Sequence, residues 1–159
     1  MKPFCRFCLC ILLLSGALAA QAQSGARFSR HEISINGFRN PSIGLEYRYR
    51  FVSVHAGLYL TNFVAGETTR FIKTGATLWF LPIGKRTNPS SFYFQLSALR
   101  GLNRDYAQEY AISPDLGFRW MVWKGLNLRV GIVGVFGRNK ASILWTPGIS
   151  YSWFPKAGA

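Results

Sequence analysis

Ser53, His55 and Glu46 are the residue types of a nucleophile, a general base and the carboxylate that orients it, and they lie close together in the chain. Val54 separates Ser53 from His55, so on an extended strand both project from one face. Glu46 lies on the preceding strand and faces them across one hairpin. Such a set could transfer an acyl group, but the same alternation turns all three toward the inside of a closed sheet, away from any lipid substrate. A hydrogen-bonded interior histidine is the simpler reading of His55. His31, the other of the two histidines, falls at a strand end. No catalytic residue is assigned on this basis. Cys5, Cys8 and Cys10 have a C-x-x-C-like spacing that would suit a metal or a redox pair. They sit in a segment expected to be removed, so neither a metal nor a cofactor is expected. There is no phosphate-binding glycine loop and no G-x-S-x-G element.

A second constellation is electrostatic. Glu32, Glu46 and Asp115 share the polar parity of their segments with Arg48, His55, Lys73, Arg119 and Arg129. Enclosed charges of both signs should pair, because an unpaired charge in a confined space is costly. Glu46 and Arg48 stand two residues apart, Asp115 and Arg119 share a segment, and Arg129 would meet Arg119 if their strands pair. A structural salt-bridged plug is the plainer outcome, and a cation-lined path for ions or small solutes the sharper one. A third set, Arg39, Arg70, Arg100, Arg104, Arg138 and Lys140, falls at segment ends and loops. Guanidinium forks there suit phosphate oxygens, or are simply solvated.

The elements that must position these groups read as β-strands. In the arm LNLRVGIVGVFG, Leu126, Leu128, Val130, Ile132 and Phe136 alternate with Asn127, Arg129 and Gly131. After the turn RNKA, the arm SILWTPGISYSWF sets Ile143, Trp145, Ile149, Tyr151 and Trp153 against Thr146, Gly148, Ser150 and Ser152. That is the two-residue period of a sheet with one apolar and one polar face. The pattern recurs upstream at roughly Ser29 to Phe38, Ser42 to Arg50, Val52 to Phe63, Arg70 to Leu81, Ser91 to Leu99 and Ala111 to Trp123, giving eight strands. Tight turns are expected at Arg39-Asn40-Pro41, near Phe51 and at Lys124-Gly125. Loops are expected at Ala65 to Thr69, Pro82 to Ser90 and Gly101 to Tyr110. Strands of ~9–11 residues are long enough to cross a bilayer at a tilt, and eight can close on themselves without leaving an edge.

Composition narrows the setting. Lys2 and Arg6, the apolar run around Cys10-Ile11-Leu12-Leu13-Leu14, and the small residues Ala17, Ala19, Ala20 and Ala22 form a secretory signal peptide. Two cuts fit, after Ala17-Leu18-Ala19 or after Ala20-Gln21-Ala22; taking the second, removal of residues 1–22 is expected to leave one barrel domain, 23–159, without cysteine. The remaining 17 basic and 6 acidic side chains give about +11. Nucleic acid is a poor partner for an exported, aromatic- and glycine-rich chain with no recognition helix, whereas anionic membrane lipid is a natural one. No segment after residue 22 approaches the ~18 apolar residues of a spanning helix.

Alternation alone does not say which face points inward. A soluble lipocalin-like barrel holds its apolar side chains inside. Here the polar parity carries both charge signs and Gly44, Gly57, Gly75, Gly117, Gly131 and Gly148, which suit a narrow crowded interior. The apolar parity turns aromatic toward strand ends, with Tyr47, Tyr49, Phe80, Trp120, Tyr151 and Trp153 at one rim and Phe136 and Trp145 toward the other. Such girdles belong at membrane interfaces. With Gly44-Leu45-Glu46-Tyr47-Arg48 and Ile149-Ser150-Tyr151-Ser152-Trp153-Phe154, the chain resembles the small OmpA/OmpX-like outer-membrane β-barrels over nearly everything after Ser24. The resemblance implies an all-β, eight-stranded antiparallel up-and-down transmembrane barrel in a bacterial outer membrane. In those families a terminal aromatic is read by the barrel-assembly machinery. A monomer is expected, and the charge balance and basic rim make outer-membrane lipid, lipopolysaccharide included, its expected partner. Pro155 to Ala159 follow Phe154, a departure from that ending. Lipid A deacylases, barrels of similar size, carry a His-x-Ser pair and a Glu near their last strands. This chain has no histidine after Asp115, so a lipid A-modifying activity is the least favoured expectation.

Overall fold

Eight antiparallel strands close into one barrel in simple sequence order, β8 returning to pair with β1. The computed structural model describes residues 28–38, 42–64, 67–84, 86, 88–103, 106–138 and 141–155. The expected signal peptide with its three cysteines, the Arg39-Asn40-Pro41 turn, Arg104, Lys140 and the tail from Lys156 lie outside the described residues. The strands are β1 His31–Gly37, β2 Ile43–Tyr49, β3 Val52–Val64, β4 Glu67–Ile83, β5 Ser90–Gly101, β6 Tyr110–Trp123, β7 Leu126–Phe136 and β8 Ala141–Trp153.

The period-two pattern places every strand where the sequence expects one, and the differences are at the ends. Ala65 to Thr69 is not wholly a loop, since Glu67 to Thr69 belong to β4 and pair with the end of β3. Threonine-rich polar sequence reads as loop, yet β-branched threonine suits a strand once a partner supplies its hydrogen bonds. Strand β4 also runs past Leu81. A register shift between Phe80 and Ile83 and a left-handed Leu81 (φ 47°) carry Pro82 at an irregularity, where proline is tolerated. The β2–β3 connection is the pair Arg50-Phe51. Lys124 and Gly125 both take positive φ (29° and 102°), the geometry of a tight hairpin turn that follows strand twist.

Polarity is inverted relative to a soluble barrel. Leu45, Val54, Ile72, Leu96, Leu116, Val130, Ile132 and Ile143 point outward and are exposed. The aromatic residues expected at the rims also face outward. Phe80 stacks on Phe92 and Phe92 meets Phe118 at a tilt across three neighbouring strands, with centroids 6.1 and 5.0 Å apart, and Tyr151 meets Trp153 edge-on at 4.9 Å. The charges go inside.

Candidate functional site

Because each strand alternates, one parity of all eight converges on the barrel axis. Glu32, Glu46, Arg48, His55, Lys73, Asp115, Arg119 and Arg129, the eight residues expected there, are all buried.

Their pairing is settled by the walls rather than by sequence neighbours. Glu32 on β1 stands opposite Arg48 on β2 and accepts from its Nε at 2.8 Å and from its Nη2. Its other oxygen accepts from Nη1 of Arg119 on β6 at 2.7 Å, across the interior. Glu46 accepts from Nη2 of Arg129 on β7 at 2.8 Å, from Asn36 Nδ2 at 3.1 Å and from the Ser53 hydroxyl. Glu46 and Arg48 therefore turn to different partners, although they share β2. Two residues along a strand their side chains run parallel, whereas groups on facing walls meet head-on. Asp115 and Arg119 part in the same way. Arg119 takes Glu32, and Asp115 acts as the principal opposite charge on Lys73.

Arg119 and Arg129 do stand directly opposite each other across the β6–β7 ladder. Their like charges are tolerated because each holds a carboxylate and both lie against one indole. The guanidinium carbons of Arg119, Arg129 and Arg48 sit 4.2, 5.0 and 5.8 Å from the Trp79 ring. Trp79 Nε1 donates to Ser53 Oγ at 2.8 Å, tying the indole to the Glu46 network. Tyr93 enters from β5 and packs against Trp79 at 5.4 Å. It fits because Gly117 and Gly131 lie beside it; a Cβ there would come within 2.5 and 2.9 Å of the Tyr93 hydroxyl.

His55 is satisfied by neighbours of another kind. Its Nε2 lies 3.0 Å from Ser97 Oγ and 3.2 Å from Gln95 Nε2, and its Nδ1 3.4 Å from Thr77 Oγ1. The Ser53 hydroxyl donates to Glu46 and accepts from Trp79, so it is not poised on His55. His31, at the start of β1, bonds the Tyr47 hydroxyl at 2.8 Å. Among the described residues, no group of three or more His, Cys, Asp or Glu could hold a metal ion.

Aromatic side chains pack at both ends of the polar interior. Phe28 lies over Arg48 at 4.7 Å at the end where the first strand begins. At the other end the inward parity turns apolar, with Tyr59, Phe71, Leu99, Ala111 and Val135 packed around Tyr106. Tyr106 comes from the β5–β6 connection and meets Phe71 edge-on at 5.3 Å. Neither Trp79 nor this cap was among the expected interior groups. Counting by two from Lys73 through Gly75 and Thr77 places Trp79 inside; its hydrophobicity masks the signal.

Of the expected basic rim, Arg70, Arg100 and Arg138 are described, and all three are exposed. Arg70, expected as the first residue of its strand, and Arg100, expected just past the end of its own, both prove to be interior to strands. Because β4 begins at Glu67 and β5 ends at Gly101, both lie within strands, on the outward parity. Arg39, Arg104 and Lys140 fall outside the described residues. No family model, curated protein or solved structure matches the chain.

Proposed function

We propose that this chain is an exported, non-enzymatic β-barrel of a bacterial outer membrane, of the OmpA/OmpX-like type and monomeric. On this reading the interior is a structural plug, and the loop end presents cations to the phosphates of outer-leaflet lipopolysaccharide. The inverted polarity carries the reading. Among the described residues, seven Asp, Glu, Lys and Arg side chains and His55 are buried inside the barrel while apolar and aromatic ones cover its outside. A water-soluble protein rarely leaves an apolar patch above a few hundred Å² uncovered, and lipid is the solvent that suits such a wall. The plug is supported by the cross-wall ion pairs and by the apolar cap around Tyr106, and an eight-stranded barrel is only wide enough to be filled by side chains.

The test is refolding of the chain lacking residues 1–22 from urea, with and without phospholipid vesicles, followed by planar-bilayer recording. The expected product is a protease-resistant, heat-modifiable barrel that forms with lipid and carries no current. Folding in buffer alone would overturn the membrane reading. Steady conductance steps would overturn the plug in favour of a narrow pore.

A further inference from the structure

The outer wall is not evenly covered. Around the middle of strands β2 to β6, the register lines up Leu45, Ala56, Thr74, Ala98 and Ile112 on five adjacent strands, all facing outward. Large side chains stand at both ends of that row and small ones in the middle. Ala76, the next outward residue on β4, extends the small floor. The result is a trough of about 950 Å³, lined almost wholly by apolar surface. The volume is within the ~300–1,000 Å³ of ligand sites, but the trough is open along its outer side rather than enclosed.

Two outward cations lie beyond the trough toward the loop end, neither of them lining it. Arg100 follows Ala98 by two residues on the same face of β5, ~7 Å at ~3.4 Å per residue. Arg70 lies on the same face of β4 beyond Ile72, ~14 Å from Thr74 by the same measure. Leu102 N bonds Arg70 O at 2.9 Å, and Ile72 faces Arg100, so the two arginines sit diagonally on neighbouring strands above one trough. Tyr110 faces Arg100 from β6 and is 70% exposed, an aromatic at the height of the cations.

We propose that the β3–β5 face is a binding site for one phosphate-bearing lipid, an acyl chain lying in the trough and the headgroup phosphate held by Arg70 and Arg100. This rests on the membrane reading and gives the outward cations a defined partner. A smooth barrel wall would be wetted by any lipid. A trough bounded by Leu45 and Ile112 buries more of a single chain, and two guanidinium forks above it select a phosphate that is not masked by its own cation.

Native mass spectrometry of the protein extracted in detergent tests this with phosphatidic acid, phosphatidylcholine of the same chains, and inorganic phosphate. One phosphatidic acid should stay bound, at least tenfold over phosphatidylcholine, with inorganic phosphate not retained. Arg70→Gln with Arg100→Gln should lower retention about tenfold. Ala76→Leu with Ala98→Phe should fill the trough and lower it as much, while heat-modifiable mobility reports that both variants still fold. Equal retention of the two lipids, retention of phosphate alone, retention by the filled variant, or a second copy of the chain in place of lipid would overturn the site. A barrel that inserts but binds no lipid overturns this inference alone. A chain that folds without lipid or detergent overturns the membrane reading and the site with it.

Discussion

Arg129 on β7 and Glu46 on β2 meet across the barrel axis at 2.8 Å, from strands separated around the wall by β1 and β8. Arg119 and Glu32 do the same between β6 and β1 at 2.7 Å. The two pairs act as struts. Ladder hydrogen bonds fix each strand to its neighbours, whereas these contacts fix opposite walls to each other and set the cross-section of the barrel.

Removing one end of a strut leaves a buried carboxylate. Arg129→Ala should destabilise the barrel by ~3–5 kcal/mol, the usual cost of breaking a buried pair from one side. Glu46→Gln with Arg129→Met, which removes both charges, should recover most of that loss. Urea unfolding in detergent measures both variants. An unchanged midpoint for Arg129→Ala would show that the pair bears no load.

Trp79 offers a second point of attack, because three guanidiniums and Ser53 all use it. Trp79→Ala should cost ~3–5 kcal/mol through the cavity it leaves. Trp79→Phe keeps an aromatic face but loses the bond to Ser53, and should cost ~1–3 kcal/mol. Equal losses for the two variants would mean that the ring face contributes nothing to holding the arginines.

The architecture was legible because alternation is local. Leu126, Leu128 and Val130 against Asn127 and Arg129 already fix which side chains share a wall. Pairing across the interior is not local, so Glu46 was as plausible a partner for Arg48 as for Arg129 until the walls were placed. Trp79 was hidden because its hydrophobicity assigns it outside while its parity assigns it inside, and parity wins. Tyr106 was hidden for a different reason. It belongs to a connection with no period, and only the apolar groups Phe71 and Leu99 at that end give it a place to pack.

The membrane reading makes an outward charge expensive. Val130 is half exposed near the middle of β7. Val130→Arg should destabilise the barrel folded in vesicles by ~2–4 kcal/mol, the cost of a cation near the bilayer midplane. The same change on a wall facing water would be nearly neutral, so vesicle unfolding with no difference from the parent chain would contradict a lipid-facing Val130.

Gly101 controls the cap. A Cβ at this position would lie 1.8 Å from the Tyr106 carbonyl oxygen, while the Gly101 carbonyl accepts from Gln108 N at 3.0 Å. Gly101→Ala should push Tyr106 out of the mouth and speed amide exchange at Gln108 and Glu109, with little change in global unfolding. The interior should stay silent in bilayer recordings, because the struts beneath the cap are untouched. A variant that conducts would make Tyr106 the gate.

Ser53 and His55 turn their hydrogen bonds to different partners. Ser53 gives its proton to a carboxylate that Arg129 also holds, and His55 spends its ring nitrogens on Ser97, Gln95 and Thr77. A nucleophile must instead give its proton to the base. Lipid A from cells with the protein, without it, and with Ser53→Ala or His55→Gln should therefore give identical mass spectra. A lost or gained acyl chain that follows the wild-type protein and disappears with Ser53→Ala would make this barrel an enzyme and the Ser53–Glu46 bond its resting state.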